Sequence, residues 1–163
     1  MAAKFLAFCL LLSGFVGGPE SADVLISRAN KDAVKGDRRV LIHFGASWCG
    51  PCRVLAKFLH EGKVGQILGK YFVIVGMDVD ETPEKQGLEN PGAAAMRTRY
   101  LGEKAPLPSF IILDKEGKML SFGEGCPSGY SGIKPFLKVL ATGNPKITTD
   151  DLWTLRREME ARL

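Results

Sequence analysis

Two cysteines stand two residues apart in "GASWCGPCRVLA" (Cys49 and Cys52), directly after the apolar run "RVLIHFG". Thiols at this spacing can share a metal, close a structural staple, or cycle between dithiol and disulfide. A zinc site needs about four ligands. The pair supplies two, and His43, His60 and Cys126 are the further soft candidates, with no second close-spaced pair. A disulfide across two intervening residues closes so small a loop that it constrains little unfolded-chain entropy. Redox cycling accounts for the neighbours better. A strand ending near Ser47 and a helix opening around Cys49 put the first thiol at a helix N-terminus, where unsatisfied amides and the macrodipole favour thiolate. Pro51 is tolerated in that first turn because its missing N–H has no intrahelical partner. On this reading Cys49 is the exposed nucleophile, and Cys52, one turn deeper, resolves a mixed disulfide.

The elements that must position the pair follow from the hydrophobic pattern. Val24, Leu25, Ala29 and Ala33 recur at helical spacing and stop near Gly36. "RVLIHFG" reads as a strand buried on both faces, and Val54, Leu55, Phe58 and Leu59 share one side of the helix after it. "VGQILGK" continues or restarts that helix, and "YFVIVGMDV" gives a second buried strand. "DETPEKQGLENPG" is polar and turn-rich, hence loop. "AAAMRTRYL" predicts a short helix, broken by "GEKAPLP". "SFIILD" and "KMLSF" form a hairpin across Lys115-Glu116-Gly117, and "GIKPFLKVLATG" predicts an amphipathic helix. The order β-α-β-α-β-β-α after a leading helix implies an α/β fold, a mixed central sheet with helices on both faces. A C-terminal helix is capped at Thr148 or Thr149 with Leu152, Leu155, Met159 and Leu163 as its apolar stripe. It is expected to dock on its own domain, with partner binding as the alternative.

At each end the chain changes character. Met1 to Lys4 carry one positive charge, and "FLAFCLLLSGFVGG" then runs 14 residues without any. That is short for a membrane span and fits the apolar region of a signal peptide. Cleavage near Ala22 competes with the Gly17-Gly18 region. The organisation expected is therefore signal peptide 1–22, a domain over 23–143 and a helical extension over 144–163, in the periplasm or secreted. The remaining cysteines are Cys49, Cys52 and Cys126, too few for a disulfide scaffold. An odd count in an exported chain means a free thiol or a pair that does not stay closed. Among all 163 residues, 45% are apolar, 25% are charged and the net charge is +4, the balance of a globular protein. Its short, mixed basic stretches exclude nucleic acid as the natural partner.

"WCGPC" after a hydrophobic strand resembles the active site of the thioredoxin family. "NPG" at Asn90-Pro91-Gly92 and the later "LPSFIILDKEGK" resemble the rest of that fold, so the resemblance spans about residues 24–142. It implies a thioredoxin fold and a protein-disulfide oxidoreductase, an enzyme acting through Cys49 and Cys52. It also implies a cis-proline at Pro108 facing the cysteines, with Leu107 offering its backbone to an extended peptide. Trp48, Gly50 and Pro51 complete the substrate-binding surface. No cofactor or metal is implied. Expected partners are protein disulfide or thiol clients and a membrane or soluble thiol electron donor, for a monomer.

The departures from the family are informative. Thioredoxins usually place a buried Asp where this chain has His43, a Lys where it has Gly76, and a helix-kinking proline where it has Lys57. His43 could replace the carboxylate in proton exchange, since an unperturbed imidazole titrates near 6.5; a neutral core histidine is the alternative. The loop from Asp80 to Glu89 and "GEKAPL" look longer than in a minimal thioredoxin, as in a specialised relative. Cys126 in "GEGCPSGY" falls near a glycine-rich loop beside the active site, either as an inert thiol or as a regulatory one. Reduction of protein disulfides competes with two other roles: a dedicated thiol reductant for cytochrome or metal-centre assembly, and a non-catalytic interaction module built on Trp48 and Pro108. The absence of a Thr-x-x-Cys pattern around Cys49 argues against a thiol peroxidase.

Overall fold

A computed structural model describes residues 17–162 of the chain. The apolar stretch read as a signal-peptide core lies outside these residues, apart from its last two glycines. Helices α1 (Ala22–Lys35), α2 (Gly50–His60), α3 (Gly62–Tyr71), α4 (Ala93–Leu101), α5 (Tyr130–Gly143) and α6 (Thr149–Glu160) surround four strands. These are β1 (Arg39–Gly45), β2 (Phe72–Asp78), β3 (Ser109–Leu113) and β4 (Met119–Glu124). They form one sheet in the order β2-β1-β3-β4. β1 runs parallel to β2 and antiparallel to β3, and β3 runs antiparallel to β4, so the sheet is mixed.

The period-2 alternation of the strands divides the core into two layers. Leu41 on β1 and Phe110 and Ile112 on β3 pack with Leu55, Leu59 and Leu68 from α2 and α3. Val40, Ile42 and Phe44, with Ile111 and Leu113, pack on the other face against Ala29 and Ala33 of α1 and Ala93 of α4. Burying α2 through Leu55, Phe58 and Leu59 contributes roughly 1.5–3 kcal/mol per side chain, which fixes the helix that carries the cysteines. Val54, expected on the same side, is instead exposed. The helix does restart, because Glu61 is extended and Gly62 adopts φ 62°.

α6 docks on its own domain. Leu155 and Met159 are fully buried in the larger core layer, with Leu152 packed against it. Tyr71 donates its hydroxyl to Asp151 Oδ2 at 2.6 Å, and Thr148 caps the helix through the Asp151 amide at 3.1 Å. At the other end, residues 20–22 pack onto the start of α1. Ser21 accepts the Val24 amide as the N-cap of α1, Ala22 is buried, and Asn90 Nδ2 donates to the Glu20 carbonyl at 2.8 Å. Glu20 also pairs with Arg28.

Candidate active site

β1 ends at Gly45 and α2 begins at Gly50, leaving four residues to present the first thiol. Cys49 is the N-cap of α2: its backbone is extended, and its Sγ accepts the Cys52 amide at 3.2 Å. Its own N–H closes a turn onto the Ala46 carbonyl at 3.0 Å, and Pro51 sits in the first helical turn. Cys49 and Cys52 are joined as a disulfide with Cα atoms 5.3 Å apart. Gly45 leaves room here, since a Cβ on it would lie 3.2 Å from Cys52 Cβ and press on that side chain. Cys49 is not exposed in this oxidised state. At 4% exposure it is as covered as Cys52 at 6%, because the bond ties its sulfur inward and both pack with Ala46 beneath Leu107. Trp48 is the exposed member of the motif, at 54%.

The Leu107–Pro108 peptide is cis. Leu107 covers the cysteine patch, while Pro108 is buried and its carbonyl accepts the Gly125 amide at 2.7 Å. That bond brings the loop carrying Cys126 beside the cis-proline. Cys126 is a free, half-buried thiol whose Sγ lies 3.4 Å from Ser128 Oγ.

Residues 25–115, more than half of the chain, match the family model described as thioredoxin-like. The chain belongs to the thioredoxin-like family. It is 38% identical over 64 residues to a thioredoxin of Alicyclobacillus acidocaldarius subsp. acidocaldarius, covering 39% of this chain and 59% of that protein. It is 50% identical over 48 residues to a thioredoxin of Listeria monocytogenes serovar 1/2a, covering 29% and 45%. The chain therefore spans about half the length of the curated relatives it matches. In structure it is similar to a disulphide isomerase from Xylella fastidiosa Temecula1, with TM-score 0.53 and 18% identity over 85% of this chain and 91% of that one. A DsbH oxidoreductase gives TM-score 0.52 at 17% identity over 87% and 94%. These two likenesses concern the fold, which is the thioredoxin fold with the added α6.

In this thioredoxin-like chain the two central departures, His43 and Gly76, form one arrangement. They are register partners across β1 and β2. A Cβ on Gly76 would meet His43 Nε2 at 2.9 Å and Cε1 at 3.0 Å. The imidazole therefore occupies space that only glycine leaves open. By the alternation of β1, His43 faces α2 with Leu41, and its ring packs edge-on to His60 with centroids 5.8 Å apart. His43 lines a pocket of about 320 Å³ together with Cys52, Ala46, Ala56 and Asp78. Burial, with repulsion from His60, lowers its pKa to about 4. Of the two readings of His43, this shift favours the neutral ring, a weaker base than an unperturbed imidazole. Asp78 is shifted the other way: burial, then the neighbouring Glu81, raises its carboxyl above the ordinary range.

Several bonds at this site join residues that are far apart in the sequence. Trp48 donates its indole N–H to the Asp80 carbonyl at 2.8 Å. Ser47 donates its amide to Glu81 Oε1 at 2.5 Å and its hydroxyl to Oε2 at 2.7 Å. Arg97 Nη1 holds Asp80 Oδ2 at 2.5 Å. The segment from Asp80 to Glu89, expected as a plain loop, contains a 3-10 turn over Pro83–Leu88 and braces the active-site loop. A polar run flanked by prolines signals a loop, but nothing in its composition marks Glu81 as buried.

Proposed function

We propose that this protein is an exported thiol–disulfide oxidoreductase that reduces protein disulfides through Cys49 and Cys52. The observation carrying the reading is the Cys49–Cys52 disulfide at the N-terminus of α2, with Cys49 as the capping residue. In the reduced protein the Cys52 amide that Cys49 Sγ accepts would stabilise a Cys49 thiolate, helped by the positive end of the helix. That thiolate attacks one sulfur of a client disulfide, forming the Cys49–client bond and releasing the client's other sulfur as a thiolate that takes a proton. Cys52 then gives up its proton and attacks Cys49 Sγ, releasing the second client thiolate. Two electrons pass to the client and the protein is left as the disulfide described above. A dithiol donor, soluble or membrane-bound, returns it to the reduced form.

An extended client lies against Trp48, Gly50, Pro51 and the backbone of Leu107, with the buried Pro108 supporting that surface from beneath. His43 lines the same pocket as the deeper thiol, Cys52. Export rests on the uncharged apolar stretch after Lys4, with processing ahead of Glu20, since Glu20 to Ala22 serve the fold. Turnover of insulin by the reduced protein with dithiothreitol as donor tests the assignment. Wild type should precipitate the insulin B chain, and Cys49→Ser should be silent. Equal rates for both would end the reading.

A further inference from the structure

Cys49 is held on its C-terminal side by α2, but on its N-terminal side only three residues separate it from the end of β1. One of them, Ser47, is bonded by nearly every polar group it has. Its amide and hydroxyl both donate to Glu81, its hydroxyl accepts Lys85 Nζ at 3.3 Å, and its carbonyl accepts Arg53 Nη1 at 3.0 Å. Glu81 is 8% exposed, and its own amide is fixed on Glu89 Oε1 at 2.8 Å. A carboxylate so deeply covered is unfavourable unless its oxygens accept hydrogen bonds, and here each oxygen takes one from Ser47. Charge-assisted bonds of this kind are about twice as strong as neutral ones. The next residue of the same segment, Asp80, takes the Trp48 indole, and Arg97 anchors Asp80 from α4. Two adjacent residues of one loop thus grip two adjacent residues of the other.

We infer that Glu81 is a positioning residue for the Cys49 chemistry: it clamps Ser47 so that Cys49 stays in N-cap geometry, aligned for attack on a client disulfide. The inference rests on the oxidoreductase reading above and adds a residue outside the cysteine motif to it. Misplacing a reacting atom by about 1 Å can slow a reaction by up to about a hundredfold. Loss of Glu81 leaves the Arg53 and Lys85 contacts in place, so about a tenfold loss is expected.

The reduced protein is mixed with dipyridyl disulfide in single turnover across the pH range, and rates are compared on the alkaline plateau, where thiol ionisation no longer matters. Glu81→Ala should lower the plateau about tenfold. Glu81→Gln should stay within about twofold of wild type, because a carboxamide oxygen still accepts the Ser47 amide and its NH2 can donate to the hydroxyl. Ser47→Ala, which removes only the hydroxyl arm, should fall between them. Amide exchange at Ser47 is followed in parallel: it should quicken at least about tenfold in Glu81→Ala and hold in Glu81→Gln.

Unchanged Ser47 exchange in Glu81→Ala, or a plateau equal to wild type, overturns the clamp even if the protein is an active reductant. A drop in Glu81→Gln as deep as in Glu81→Ala also overturns it, since charge and not bonding would then be responsible. If Glu81→Ala does not fold, Glu81→Gln and Ser47→Ala carry the same comparison, and a Ser47→Ala plateau at the wild-type level refutes it. A wild type that reacts no faster than Cys49→Ser refutes the underlying oxidoreductase reading instead, and the Ser47 exchange rates still judge the clamp.

Discussion

Replacing His43 by leucine should remove one component of the protein's acid sensitivity. In the unfolded chain the imidazole titrates near 6.5; in the fold, burial and His60 hold it at about 4. The unfolded state therefore binds more protons as the pH falls through this window, and stability falls with it. The gap corresponds to ~3 kcal/mol at about 1.4 kcal/mol per tenfold change in proton affinity, fully lost only below pH ~4. At pH 5 the loss amounts to about 2 kcal/mol, against almost nothing at pH 7. Asp78, whose carboxyl is raised, contributes in the opposite sense but is present in both proteins and cancels in the comparison. Leucine suits the position, because its neighbours in β1 from Val40 to Phe44 are apolar and Gly76 leaves the space above it open. Urea unfolding at pH 7 and pH 5 reads the effect. With a slope of about 2 kcal/mol per molar, the wild-type midpoint should drop about 1 M further than that of His43→Leu. Midpoints that move in parallel, within about 0.25 M, would show that His43 is not the weakly basic group its surroundings imply.

Gly76→Ala should destabilise by roughly 1–3 kcal/mol by driving a methyl into the His43 ring, and the double variant with His43→Leu should recover most of that loss in the same urea assay. Tyr71→Phe should remove the main hydrogen bond that keeps the Asp151 carboxyl below its ordinary value. That bond's contribution is present above pH ~4 and is lost as pH falls through the lowered folded value, so the gap between wild type and variant should narrow in thermal melts as the solution is acidified. Thr148→Ala should cost about 1 kcal/mol by uncapping α6, seen as a lower melting temperature. Expressed with its own N-terminus in a bacterium, the protein should appear in the periplasm with a mature start at or before Glu20. Intact mass in the cytoplasm would defeat the export reading.

The cysteine helix and the sheet were legible because their signals are local. "RVLIHFG" and "SFIIL" are apolar runs of strand length, and Leu55, Phe58 and Leu59 fall on one helical face. What the sequence concealed depends on contacts made across the fold. Period-2 counting from Leu41 puts His43 on the α2 face, but its protonation depends on desolvation in the fold and on His60 from the far end of α2. Glu81 looks like one more acid in a polar loop; its burial arises only when that loop folds back on Ser47. The start of α1 was hidden for another reason. Ser21-Ala22 fits the small-residue pattern of a cleavage site, and in the structure Ser21 caps α1. Cys49 was expected to be exposed from its place at a helix N-terminus, whereas the disulfide turns it under Leu107.

Trapping the attacking sulfur tests the central claim most directly. Cys52→Ser, reduced and mixed with a peptide disulfide, should accumulate a mixed disulfide that proteolysis and mass spectrometry place on Cys49, because attack proceeds and resolution cannot. An adduct found on Cys126, or none while wild type still turns over, would contradict the assignment of Cys49 as the nucleophile.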